Sequence, residues 1–214
     1  MPRLTARDRR LHGAERRKQI LLAAARVFAD RGYAAATIED IARAAHVAEG
    51  TIYNYFRSKE ALLIHIPRYL AGPVLERLAA LPDVESAEAA ERALIAMGEG
   101  MVHLLSTNIR FVKVFLSALP YLSRRAREEY MRRLPMAAAG VLEAHLRRGM
   151  ARGIYRRDVD PAVAGRALPG TIFMITLLQQ VLLGRRMTAA SYGPFVRETV
   201  SLFLHGALEQ RAPV

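Results

Sequence analysis

From Glu15 to near its end, the chain places apolar residues three and four positions apart, and no stretch alternates apolar with polar residues as a half-buried strand requires. That spacing lines one face of a helix with apolar side chains. Helices joined by short loops, with no strands, can bury such faces only against one another. The fold class this dictates is all-α, a set of packed helices. Hydrophobic residues fill 52% of the 214 positions, so a sizeable core is available and disorder is not the default.

The N-terminal third divides into short helices with tight connections. Ile20, Ala24, Val27 and Phe28 form one stripe of a first helix, roughly Glu15 to Arg31, which Gly32 ends. Thr37 opens a second. Its hydroxyl can accept from the amide three residues on, where the short Asp40 carboxylate can reach back as a weaker capping box. Ile38, Ile41, Ala42 and Ala45 supply the buried face, and "HVAEG" is the turn. A third helix runs from about Glu49 to Tyr55; Ser58 caps a fourth, with Glu60 in its first turn. The second and third helices are about three or four residues apart, which is helix-turn-helix spacing.

Ile52 and Phe56 are four apart and share one face of the third helix. With Phe28, Ile41 and Val47 they close a small core. Gly50, Thr51, Asn54 and Tyr55 then lean outward. Glu49 and Gly50 stand in the first turn, where a small residue allows close approach and free amides favour an anion. A helix so equipped can enter a major groove: its N-terminal residues reach base edges, a threonine touches a thymine methyl or donates, and tyrosine hydroxyls bond phosphates. Lys59 adds a mobile cation for the backbone. The competing reading is that Tyr53 and Tyr55 merely cover the core, which weighs more for Tyr53 beside Ile52.

Charge points the same way. The net charge is +12, carried mostly by arginine, and favours an anionic partner, nucleic acid or a membrane surface. There is no cysteine, which excludes disulfides, thiolate metal sites and cysteine nucleophiles and fits a reducing cytoplasm. The N-terminal stretch lacks the apolar core of a secretory signal, and Asp8 and Glu15 argue against a transit peptide. The longest apolar run, "TIFMITLLQQVLLG", is interrupted by Gln179 and Gln180 and falls short of the ~20 residues of a membrane span. A soluble cytoplasmic protein with no membrane partner is expected.

The segment "RRKQILLAAARVFADRGYAAATIEDIARAAHVAEGTIYNYFRSKEALL" strongly resembles the DNA-binding domain of TetR-family transcriptional regulators. The blocks "AAARVFADRGY", "TIEDIARAAHV" and "GTIYNYFRSKEALL" carry the resemblance by their order and spacing, over roughly Glu15 to Leu63. It implies a homodimer whose N-terminal domains bind a palindromic operator and whose C-terminal helices bind a small-molecule effector. It also implies that Thr37 touches phosphate, that Glu49, Gly50 and Thr51 lie in the groove with Ala48 close by, and that Tyr53, Tyr55 and Lys59 hold the backbone. Tyr55 stands where the family often has histidine. Glu49 either accepts from cytosine or caps the helix. The expected organisation is a basic arm over 1–13, a helix-turn-helix domain over 14–63 and a ligand-binding and dimerisation domain over 64–214.

The C-terminal part is less explicit. Pro67 and Pro73 predict a kinked or divided fourth helix, a departure from the unbroken helix expected of the family, and "LPDVES" a break between Gly72 and Ser86. Five further helices follow, roughly Ser86 to Leu105, Asn108 to Leu119, Ser123 to Arg152 (strained at Pro135), Pro161 to Leu183 and Tyr192 to Gln210. The last two are apolar around much of their circumference, as helices between two protomers would be. Met97, Met101, Phe111, Phe115, Tyr121, Met131, Phe173 and Met174 are candidates to line an apolar effector pocket, with Glu99 and His103 as polar anchors; for each of the eight apolar ones taken alone, ordinary core is the plainer reading. Glycine-rich phosphate loops, Gly-x-Ser-x-Gly and His-Glu-x-x-His are absent, and the six histidines have no metal-ligand spacing, so neither an enzyme nor a cofactor or metal site is expected. The reading is a DNA-binding regulator, a repressor released by a mostly apolar effector. The alternatives are a non-specific architectural DNA binder and a helical ligand-binding dimer without a DNA role.

Overall fold

A computed structural model describes residues 6–80, 85–184 and 189–207. Its helices are α1 (Ala6–Ala35), α2 (Ile38–Ala44), α3 (Glu49–Tyr55), α4 (Lys59–Ala79), α5 (Ala87–Thr107), α6 (Ile109–Ala118), α7 (Arg124–Arg133), α8 (Pro135–Ala151), α9 (Pro161–Leu177) and α10 (Ala189–Ala207). A 3₁₀ turn over Leu119–Tyr121 separates α6 from α7, and a π-helical turn over Leu178–Leu182 extends α9. No strand occurs among the described residues.

The helix ends follow the local chemistry. Gly32 breaks α1 with φ 78 and ψ 162, a conformation that glycine alone adopts without strain. Thr37 and Asp40 form a complete capping box at α2: the Asp40 amide donates to the Thr37 hydroxyl at 3.0 Å and the Thr37 amide to the Asp40 carboxylate at 3.1 Å. Ser58 and Ser86 accept from the amides of Ala61 and Ala89, and Asp160 from that of Ala162, with Pro161 in the first turn of α9.

Elsewhere packing overrides the local signal. Within the basic arm of 1–13, α1 already starts at Ala6; residues 1–5 lie outside the described residues, as do 81–84 of the expected break and the last residues of the expected final helix. The fourth helix is continuous through Pro67 and Pro73. A proline inside a helix costs about 3 kcal/mol. Leu62, Leu63, Ile64 and Ile66 are buried to 2% exposure or less, and each full burial contributes about 1.5–3 kcal/mol, so packing outweighs the break. Pro135 does the opposite. It holds Leu134 at φ −124 and ψ −69, outside the helical region, and splits the expected long helix into α7 and α8.

The chain forms two compact units. One comprises the residues up to Leu70 together with Arg110–Met131; the other comprises Ala71–Ile109 and the residues from Arg132 on. In the first, Ile20 and Phe28 of α1, Ile41, Ile52, Leu63 and Phe111 belong to a single core. In the second, Leu94, Leu142, Tyr155, Ile172 and Val196 do so. There α5 meets α9 and α10 at Gly98, where a Cβ would stand 2.6 Å from Val196 Cγ1 and 2.9 Å from Ile172 Cδ1.

The glutamines do not shorten the apolar helix. Pro161–Leu182 is a 22-residue helical stretch whose most apolar window has mean hydropathy 1.4, long and apolar enough by those measures to cross a membrane, with 28% of that window buried. Gln180 is only 6% exposed and donates to Ser106 Oγ at 2.8 Å, so its polarity is satisfied inside the unit.

Candidate nucleic-acid interface

The third helix divides its faces as its spacing requires. Ile52 and Phe56 are buried at 0% and 2% exposure. Ala48, Glu49, Gly50 and Asn54 are exposed, and Thr51 is half-buried. Tyr53 is 52% exposed and Tyr55 36%, so Tyr53 does not serve mainly as a lid on the core. Ala48 caps α3 with no side-chain bond, and Glu49 follows as its first residue. The face turned to solvent therefore carries a small residue, a threonine, an asparagine and two phenols, with a carboxylate at its start.

Several contacts fix that face on its scaffold. The α2 helix ends in a Schellman motif: the Val47 amide donates to the Ala42 carbonyl at 3.0 Å and the His46 amide to that of Arg43 at 3.2 Å. His46 takes the left-handed position of that motif at φ 51, where glycine is usual, and its side chain is exposed. The Gln19 amide group donates to the Ala45 carbonyl at 2.6 Å, tying α1 to the turn. The guanidinium of Arg17 lies 4.8 Å from the Phe56 ring centre, a cation–π contact behind α3. Gly13 of α1 approaches the Tyr55 hydroxyl, which would be 3.9 Å from a Cβ there.

Thr37, expected to meet phosphate, is exposed at the start of α2. Its partner Asp40 also pairs with Arg31 at 2.7 Å and with Arg43 at 3.8 Å. The Thr37 hydroxyl and amide, then the two arginines, hold the Asp40 carboxyl below the usual carboxylate range.

Lys59 requires a correction. Its ammonium is not a mobile cation: it donates to the carbonyls of Tyr33 at 2.9 Å, Ala34 at 3.3 Å and Ala36 at 2.8 Å. It also lies 4.7 Å from the Tyr33 ring centre. An ammonium has three donors, and all are engaged. Lys59 clamps the carbonyls that α1 leaves open after Gly32. The sequence signal was misleading because the carbonyls that hold it lie more than twenty residues upstream.

The effector-pocket candidates do not form one cluster. Phe111 and Phe115, with ring centres 5.9 Å apart, belong to the core of the N-terminal unit, where Phe115 also meets Tyr130 at 4.7 Å. Tyr121 is 86% exposed, and Met131, Met174 and His103 are exposed too. Met97 is buried in the C-terminal core with Met101 packed against it, while Glu99 and Phe173 are half-buried in that unit. Apolar periodicity marks burial but does not say which core receives a residue, so these positions could not be sorted from sequence.

Residues 20–66 match the model of the bacterial regulatory proteins of the tetR family. The chain is 33% identical over 175 residues to the HTH-type transcriptional repressor KstR2 of Rhodococcus jostii, spanning 74% of this chain and 77% of that one. Its fold is similar to that of a chain from Mesorhizobium loti assigned to the TetR-family regulators, with TM-score 0.75 and 17% identity, over 92% of this chain and 98% of that one. It is also similar to the transcriptional regulator FadR of Bacillus subtilis, solved in complex with stearoyl-CoA, with TM-score 0.69 and 23% identity, over 88% and 98% of the two chains.

Proposed function

The chain belongs to the TetR family of bacterial transcriptional regulators, and on that premise we propose that it is a repressor that holds a palindromic operator as a homodimer and releases it to a mostly apolar effector. The observation that carries this reading is the outward face of α3, which presents Thr51 and Tyr55 while Ile52 and Phe56 are buried. Glu49, Gly50 and Thr51 lie at the end of α3 that reads base edges in such motifs, with Ala48 and Asn54 beside them. Thr37, Tyr53 and Tyr55 offer hydroxyls to phosphate. Lys59 acts from behind by holding the end of α1.

The dimer would form through α9 and α10. Leu202 is 75% exposed, Leu182 72%, Val163 60% and Met174 54%, apolar side chains on α9, its extension and α10 that water disfavours and a second copy would cover. A two-fold dimer matches a palindrome.

The effector would occupy the C-terminal unit, whose core is apolar. FadR of Bacillus subtilis holds stearoyl-CoA on a similar fold, which makes a long-chain acyl-CoA the first probe to use. The effector shifts the population toward a dimer whose two α3 helices no longer match half-sites about 34–36 Å apart. The protein would work in the cytoplasm, where the operator is.

Selection of bound duplexes from a random pool at near-physiological salt tests this reading. Enrichment of a palindrome, followed by its release on adding stearoyl-CoA, is the expected result. Binding of all duplexes alike would establish the architectural alternative. No binding, with ligand stabilisation, would leave a ligand-binding dimer.

A further inference from the structure

Two helix starts in the N-terminal unit share one design. At α4, Tyr55 is exposed, Phe56 is buried at 2%, and Ser58 caps the helix by accepting from Ala61 at 3.0 Å. At α7, Tyr121 is exposed at 86%, Leu122 is buried at 3%, and Ser123 accepts from Ala126 at 3.2 Å. The two starts touch. Glu60, in the first turn of α4, accepts from the Ser123 amide at 2.6 Å and from its hydroxyl at 3.1 Å. The start of α7 is thus bonded one residue away from Lys59 and five from Tyr55, the edge of the face assigned to DNA.

The charges there are out of place for a protein acting alone. The N-terminal end of a helix is positive and favours acidic residues, yet α7 opens with Arg124 and Arg125. Arg124 pairs with Glu128 at 2.7 Å, but its side chain remains 89% exposed, so the pair is weak and the guanidinium accessible. Arg125 is exposed, as is Arg57 just before the start of α4, and neither makes a hydrogen bond or ion pair among the described residues. The Glu60 carboxylate, in the first turn of α4, is engaged by Ser123.

We infer that the start of α7, through Arg124 and Arg125, is a second phosphate-binding surface that grips duplex DNA flanking the half-site read by α3. The inference rests on the DNA-binding reading above and extends it. The contact is to backbone phosphate, so it adds affinity and salt dependence without sequence preference.

The test uses the full-length protein and two duplexes: the selected palindrome with about one helical turn of extra DNA on each side, and the same palindrome trimmed to its ends. For Arg124→Ala/Arg125→Ala, the slope of log K against log salt should become shallower on the long duplex by about 0.9 for each arginine that meets a phosphate. On the trimmed duplex it should equal the wild-type slope. A charge-matched control, Arg77→Ala/Arg92→Ala, should leave both slopes unchanged; both residues are exposed in the C-terminal unit. Unmoved melting temperature marks the variants as folded. An unchanged slope on the long duplex overturns the inference and leaves the surface to an acidic protein partner. Equal loss on both duplexes overturns it as a flanking contact. Failure of the wild-type protein to bind any duplex would remove the DNA-binding reading itself, a distinct outcome.

Discussion

The ammonium of Lys59 donates to the Tyr33 carbonyl at 2.9 Å and lies 4.7 Å from the centre of the same residue's ring. One side chain thus seals the end of α1 and fixes the start of α4, the segment that follows α3. Lys59→Met keeps the length of the stem and removes the charge. It should destabilise the protein by about 1–3 kcal/mol, the range for a hydrogen-bonded charge lost from its acceptors. Lys59→Arg should not restore it fully, because a planar guanidinium does not match three converging carbonyls. Urea denaturation reads both. A stability equal to wild type for Lys59→Met would return the residue to the role of a free surface cation.

His46 occupies the left-handed C′ position of the Schellman motif at the end of α2, at φ 51. A side chain costs about 1–2 kcal/mol in that region. His46→Gly should therefore raise stability, by up to about 1 kcal/mol after the added freedom of the unfolded chain is counted. Thermal denaturation is the measurement. A lower melting temperature would mean that the imidazole makes a contribution larger than the strain.

Asp40 gives the N-terminal unit an acid limit. Its carboxyl is held low by Thr37, Arg31 and Arg43. A depressed carboxyl contributes stability above its unfolded pKa of about 3.9, and that contribution disappears as pH falls through the lower folded value. The melting-temperature gap between wild type and Asp40→Asn should be full at neutral pH and close in strongly acidic buffer. A gap independent of pH would assign the effect to the capping geometry alone. Thr37→Val, which removes the cap hydroxyl, should cost about 1 kcal/mol at neutral pH.

Thr51 and Tyr55 should separate base reading from backbone holding. Thr51→Ala should alter preference at one base pair by about 1–3 kcal/mol. Tyr55→Phe should weaken every duplex alike. Competition binding against single-base variants of the selected palindrome distinguishes them. Uniform loss with Thr51→Ala would place that residue on the backbone.

Leu202 is 75% exposed, so Leu202→Glu should leave the protomer folded while placing a charge in the proposed dimer surface. Sedimentation should then show a monomer, and operator affinity should fall by orders of magnitude because two half-sites no longer bind together. A dimer that survives the change would move the interface off this face.

The sequence by itself determined the helix-turn-helix. Its signals are short-range: Thr37 three residues before Asp40, Ile52 four before Phe56, Gly32 after an apolar stripe. Hydrogen-bond geometry and helical period act over a turn or less, so residue order alone specifies which face of α3 is free. Tertiary structure decided what depends on distant partners. Pro67 leaves α4 unbroken because buried neighbours hold it, while Pro135 ends α7. Phe111 and Phe115 join the core around Phe28 and Ile52 although some fifty residues or more separate them in the chain. Lys59 is spent on carbonyls of α1, and Ser123 is bonded to Glu60. Each of these outcomes is set by which surfaces meet after collapse, and apolar attraction carries no address in the sequence to say which surface that will be.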